Sequence, residues 1–159
     1  QNLMGKDNKG NNSNSFSSFL KKRAPIYLGL IGLFFLFAYP ALTEKTLENS
    51  LPSFEGEQQQ AVDLLKSYKG TNERGMTVIQ VISDNLADKY TDENIYENEK
   101  TKIELFVSDE NYPIYKISLN VDSYKGKLEY VWNVNMDSKE IQGVSTDAKQ
   151  ILDIVNYYD

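Results

Sequence analysis

An uncharged run of twenty residues, positions 24–43, constrains this chain more than any other feature of its sequence. A helix of that length, rising about 1.5 Å per residue, would span about 30 Å, the hydrocarbon thickness of a bilayer. Tyr27 and Tyr39 stand near its two ends, where aromatic rings favour the membrane interface, and Pro25 suits a first helical turn. The sequence therefore predicts one transmembrane helix over 24–43.

The charges on either side of this segment predict its orientation. Lys21, Lys22 and Arg23 precede the segment, whereas its other side opens with one acid and one base. Because basic flanks stay on the cytoplasmic side, we expect a cytoplasmic N-terminus and a C-terminal domain outside the cell membrane. A cleaved signal peptide is the alternative, but residues 38–41 lack small-x-small spacing and the apolar stretch is long for such a segment. The expectation is an uncleaved, single-pass signal-anchor.

The rest of the chain divides into a tail, a linker and one domain. Residues 1–23 are rich in Asn, Ser and Gly and carry five bases against one acid, which predicts a disordered basic cytoplasmic tail. Residues 44–56 read as a short polar linker. Residues 57–159 contain enough apolar side chains to bury a core of their own, so they are expected to form the extracytoplasmic domain.

Two hydrophobic periods follow one another within this domain. Steps of three and four residues predict helices over about 57–68 and 77–90, although the run 77–82 alone could also form a strand. From residue 101 the period is two, which predicts three strands, a short fourth strand at Ile141 and Val144, and a closing helix capped by Ser145.

These elements predict the fold class α+β. Sequential antiparallel strands with one apolar face need helices to cover that face, so we expect helices packed on a meander sheet of three or four strands. The stripe of Tyr, Trp and Ile along the strands is then the core between helices and sheet rather than a ligand groove.

Composition excludes several classes of function. The chain has no cysteine and no histidine, which removes disulfides, thiol nucleophiles, His-based triads and the usual transition-metal sites. Its net charge of −6 argues against a nucleic-acid partner. The sequence also lacks a nucleophile elbow, a P-loop and a dinucleotide fingerprint. We therefore expect a non-catalytic protein without a cofactor.

The acidic segment from Asp84 onward is the sharpest candidate for a site. Asp84, Asp88 and Asp92 recur every four residues and would share one helix face, with Glu93 directly after them. Clustered carboxylates can hold calcium, which takes six to eight oxygen ligands. The alternating Asp-x-Asp-x-Asp-Gly loop that gathers such ligands is missing, so the expectation is a solvated acidic face and no metal.

The strand region resembles the PepSY family over roughly residues 76–145. The resemblance is carried by alternating runs that begin at Tyr115 and Tyr130 and by Asp137, which matches the turn aspartate of that family. The glycine usually found after this aspartate is missing, and Lys139 and Glu140 stand in its place. The resemblance implies an extracytoplasmic, non-enzymatic module that binds or restrains other proteins.

Two functions remain open at this point. The first is a membrane-anchored extracytoplasmic module that binds or regulates other proteins. The second is an accessory single-pass subunit of a larger integral-membrane complex, of the respiratory or membrane oxidase or monooxygenase type. Under both hypotheses the expected partners are the lipid bilayer and other membrane or extracytoplasmic proteins.

Overall fold

The computed structural model describes residues 13–91 and 94–159 of the chain. The described residues fall into two compact units that meet in sequence between Glu44 and Lys45. Residues 1–12 of the predicted tail 1–23 lie outside the described residues. The second unit begins at Lys45, within the predicted linker 44–56.

The first unit is helical from Ser13. Helix α1 (Ser13–Leu33) is followed by a π-helix (Phe34–Ala38) and by helix α2 (Tyr39–Thr43). Leu33, Ala38 and Tyr39 at the junctions have right-handed helical backbone angles, so the backbone stays helical from α1 through the π-helix into α2. Residues 13–23 are therefore helical where the sequence predicted disorder, and Pro25 lies inside α1 rather than in its first turn.

The predicted transmembrane segment 24–43 has a helical backbone throughout but contains a π-helical turn, and its crossing of a membrane stays a prediction. The amide of Tyr39 donates to the carbonyl of Phe34, five residues back, and Pro40 follows without an amide hydrogen. An α-helical bond from position 40 to Leu36 cannot form, and such interruptions accompany a change of helical register. Within 13–91 and 94–159, no single helix combines the length and the apolar character that a membrane crossing requires.

The second unit opens with an element that the linker prediction missed. Helix α3 (Leu47–Ser50) is capped by Thr46, whose hydroxyl accepts from the amide of Asn49. Leu47 is only 1% exposed and belongs to the core of the unit. Leu51 and Phe54 of the same stretch also pack against this core, but three apolar residues among polar ones are too few to indicate a helix by their period.

Two longer helices follow and confirm the predicted helical segments. These are α4 (Gly56–Ser67) and α5 (Val78–Lys89). Helix α5 begins with a capping box, in which Thr77 and Gln80 each accept a hydrogen bond from the other's backbone amide. The capping box stabilises the start of a helix at a segment, 77–82, whose apolar pattern alone is also compatible with a strand.

Four antiparallel strands form the predicted meander sheet in the order β1-β2-β3-β4. Their bounds are β1 Lys102–Asn111, β2 Ile114–Ser123, β3 Gly126–Asn135 and β4 Ile141–Gly143. The β2–β3 hairpin needs only Tyr124 and Lys125 as its loop, because Gly126 adopts a φ of 124° directly after them. The final helix α6 (Thr146–Tyr157) then starts at the predicted cap, Ser145.

The core lies between one face of the sheet and the helices. Ile117 stands opposite Trp132 in the β2–β3 ladder, and both side chains are buried. Tyr130 stacks on Trp132 with ring centroids 5.7 Å apart. Tyr115 extends the core to α4 by donating a 2.7 Å hydrogen bond to Glu57. The α+β prediction is thus confirmed, with the stripe of aromatic and aliphatic residues in the core.

Candidate binding groove

A groove of about 550 Å³ runs between α5 and α6 on the surface of the second unit. Its lining combines an acidic side with an apolar side. The lining residues are Met76, Val81, Asp84, Asn85, Asp88, Lys89, Ile154 and Tyr158. We refer to it below as the α5–α6 groove.

Helix α5 supplies the acidic side because its rotation is set by its buried face. Val78, Val81, Ile82 and Leu86 are all buried in the core. Asp84 and Asp88 lie one turn apart on the exposed side of the same helix, and both line the groove. The two carboxylates therefore share one helix face, as predicted, and lie together along one wall of the groove.

Helix α6 supplies the apolar side. Its buried face consists of Ala148, Ile151, Leu152 and Val155, which orient the helix against the sheet. Ile154 and Tyr158 lie outside this face, and Tyr158 is 61% exposed. Apolar side chains on the solvent side of a helix, next to a pair of carboxylates, make a surface that suits an amphipathic ligand.

A loop that wraps around Asp159 holds the end of α6 near the start of α5. The carboxylate of Asp159 accepts hydrogen bonds from the amides of Asn72 (2.8 Å) and Arg74 (3.0 Å) and from the hydroxyl of Thr71 (3.3 Å). These donors, the Arg74 amide foremost, lower the pKa of Asp159 below its ordinary value of 3.8. A side chain at Gly70 would overlap Asp159, so the close wrap depends on glycine.

The other end of α5 is held by an aromatic cluster. The hydroxyls of Tyr90 and Ser123 are hydrogen-bonded at 2.7 Å in the core. Lys125 donates to the carbonyl of Lys89 at 3.3 Å and lies 5.5 Å from the centre of the Tyr90 ring and 5.7 Å from that of Tyr124. The β2–β3 hairpin thus anchors the last turn of α5, and with it the wall that carries Asp88.

The structure places only part of the predicted calcium candidate. Asp84 and Asp88 line the groove, whereas Asp92 and Glu93 lie outside the described residues. Among residues 13–91 and 94–159, no three carboxylates come close enough together to hold a metal ion. What the groove offers a ligand is therefore charge pairing and apolar contact.

A second groove, of about 780 Å³, lies beside the loop after α4 and the β3–β4 turn. Its charged lining residues balance one another, with Lys69 and Lys139 against Glu73 and Glu140. Tyr68 also lines it, and burial, with smaller contributions from Asp159 and Glu140, raises the pKa of its hydroxyl. The second groove thus has no excess of either charge, whereas the α5–α6 groove has an excess of one acid, with Asp84 and Asp88 against Lys89.

The sequence reasoning missed the apolar wall and the Asp159 loop. Ile154 and Tyr158 are four residues apart and stand off the buried stripe of α6, a signal that was available in the sequence. The contact of Asp159 with residues 71–74 spans more than eighty positions and has no local signature. Comparison with known proteins yields no match to a family model, to a curated protein or to a solved structure. The PepSY resemblance therefore stays a prediction.

Proposed function

We propose that this protein is a membrane-anchored, extracytoplasmic, non-catalytic module that binds a partner protein through the α5–α6 groove. The observation that carries the proposal is the pairing of Asp84 and Asp88 with the exposed apolar side chains of Ile154 and Tyr158 along one groove. The PepSY resemblance implies the same class of function.

The proposed anchor is the uncharged segment 24–43. Its large apolar side chains are exposed, and a bilayer would remove them from water at a gain of about 25 cal/mol per Å². Lys21, Lys22 and Arg23 at its N-terminal end favour a cytoplasmic N-terminus. We propose from the same charge asymmetry that the second unit lies outside the membrane, where an exposed groove can meet extracytoplasmic partners.

The groove favours a cationic and apolar occupant. We propose a segment of a partner protein in which a lysine or arginine stands next to an aliphatic or aromatic side chain. The base would pair with Asp84 and Asp88, and the apolar side chain would cover Ile154 and Tyr158. Residues 44–159 carry twelve bases and twenty-two acids, a net charge of −10, so long-range attraction also selects basic partners.

Titration of the full chain in detergent micelles tests this function. The probe is a short fluorescent peptide in which lysine alternates with leucine, compared with a peptide in which glutamate alternates with leucine. We expect the lysine peptide to bind and to shift the methyl resonance of Ile154. The double variant Asp84→Asn/Asp88→Asn should weaken binding about fivefold to tenfold, as expected for two surface charge pairs of up to about 1 kcal/mol each.

The matched control removes two exposed acids outside the groove, Glu97→Gln/Glu99→Gln. This control should leave the affinity for the lysine peptide nearly unchanged. Equal loss in the two double variants, equal binding of the glutamate peptide, or no binding of the lysine peptide would each rule out the groove as the proposed site.

A second candidate function is an accessory subunit of a larger integral-membrane complex. The exposed run Phe34, Phe35 and Phe37 favours it, because aromatic side chains on a helical path can pack against other helices as well as against lipid. Purification of the native protein in mild detergent separates the two functions. A large stoichiometric assembly supports the subunit, and a small monodisperse particle supports the free module.

A further inference from the structure

The outer edge of β1 is long and unpaired. Strand β1 has ten residues and stands at the end of the sheet, with β2 as its only ladder partner among the described strands. The opposite edge, β4, has three residues. Strands average about five or six residues, and proteins blunt long edges because their free amides and carbonyls are templates for another strand. The β1 edge is thus a place where a further strand can add.

Apolar side chains stand at this edge on both faces of the sheet. Phe106 is 53% exposed on the face of the sheet opposite the one that the described helices of the second unit cover. Ile103 and Val107 point to the helix-covered face and are only half-buried, in contrast to Leu119 on the neighbouring strand, which is buried. A strand added alongside β1 would therefore cover apolar surface on both faces as well as satisfy the backbone.

The β1 sequence is complementary to itself in one antiparallel register. When Phe106 stands opposite Phe106 of a second copy, Lys102 stands opposite Glu110, and by symmetry this contact forms twice. Within one copy Lys102 also pairs with Glu104 at 2.7 Å, and the β1–β2 register shifts at Glu110. In the same register Leu105 stands opposite Val107, which pairs aliphatic side chains on the other face, while Ile103 there stands opposite Asp109.

Neighbouring registers are less complementary. With the two-fold axis at Val107, Glu104 would stand opposite Glu110, and two like-charge contacts would result. With the axis at Leu105, Lys102 would face Ser108 and the overlap would be shorter. The charges of β1 thus favour the register centred on Phe106.

We propose that two copies of this chain pair through their β1 edges, antiparallel and centred on Phe106, so that their sheets join into one continuous sheet. The interface is isologous, with the same strand contributed by each copy. It uses a different surface from the α5–α6 groove, so a dimer would leave both grooves open. This inference is independent of the proposed function.

Cysteine cross-linking tests the register, because the chain has no cysteine of its own. In the proposed dimer Glu104 faces Ser108 of the other copy, at a Cα distance of about 4.5–5.5 Å that a disulfide accepts. We expect the full-length double variant Glu104→Cys/Ser108→Cys to form disulfide-linked dimers on mild oxidation in detergent micelles. Each single variant is the matched control, since its two copies would lie about 14 Å apart along the strands and stay unlinked.

Charge reversal tests the same interface without covalent chemistry. Lys102→Glu should weaken dimer formation several-fold in sedimentation experiments on the full chain, and Lys102→Glu/Glu110→Lys should restore it. Equal cross-linking of single and double cysteine variants, a double cysteine variant that stays monomeric, or a charge swap that fails to restore the dimer would overturn the proposal.

Discussion

The two units of this chain differ in how far they bury their apolar side chains. In the second unit Ile117 is completely buried between helices and sheet, whereas in the first unit Leu36 is 71% exposed. The second unit closes its core with its own residues. The segment 24–43 instead leaves its large apolar side chains exposed. A core closed by its own residues should tolerate truncation poorly, whereas exposed apolar side chains should contribute little to the stability of the fold.

The largest expected effect comes from truncating matched aliphatic residues in the two units. Ile117→Ala should lower the free energy of unfolding by about 2–5 kcal/mol, because it removes buried atoms and leaves a cavity. Leu36→Ala should change it by no more than about 0.5 kcal/mol, since an exposed side chain contributes little to the core.

Urea unfolding of the full chain in detergent micelles measures both changes. Trp132 is the only tryptophan and is buried in the second unit, so its fluorescence reports the unfolding of that unit alone. Comparable losses in Ile117→Ala and Leu36→Ala would contradict the division of roles between the two units.

Much of the second unit was predictable because its signals are local. The two-residue alternation around Ile117 and Trp132 identified the long strands, and Ser145 marked the start of α6. The predicted face of Asp84 and Asp88 also followed from helical spacing alone. These features need only neighbouring residues in the chain.

The remainder depends on contacts between distant residues or on the backbone. Leu47 lies in the core where α3 contacts α5, and the few apolar residues of its polar stretch show no clear period in the sequence. The groove exists because α6 lies beside α5, which brings Tyr158 near Asp84 although some seventy positions separate them. The π-helical turn before Pro40 likewise interrupts a segment whose hydropathy is uniform.

A smaller effect should appear at Asp159, which ties the C-terminal side of the second unit to the loop 71–74. Its pKa is lowered in the folded protein, so its contribution to stability is present above its ordinary value of 3.8 and is lost as the pH falls through the lowered value. Asp159→Asn should therefore lower the melting temperature at neutral pH and reduce the fall in melting temperature as the pH drops below about 4.

Thermal melts across this pH range, followed by Trp132 fluorescence, check the prediction. Asp153→Asn is the matched control, because this exposed carboxylate on α6 accepts no side-chain hydrogen bond among the described residues. An Asp159→Asn variant with the same pH profile as the native chain would show that the loop contact contributes nothing to stability.

Protease treatment of intact cells that express the full chain tests most directly whether the two units occupy different surroundings. Protease added outside should cleave the exposed junction between α2 and α3, at Glu44 to Thr46, and release the second unit, while a membrane-bound fragment containing 24–43 remains. Recovery of the uncut chain in the soluble fraction, or protection of the second unit with digestion of the N-terminal side instead, would contradict the account.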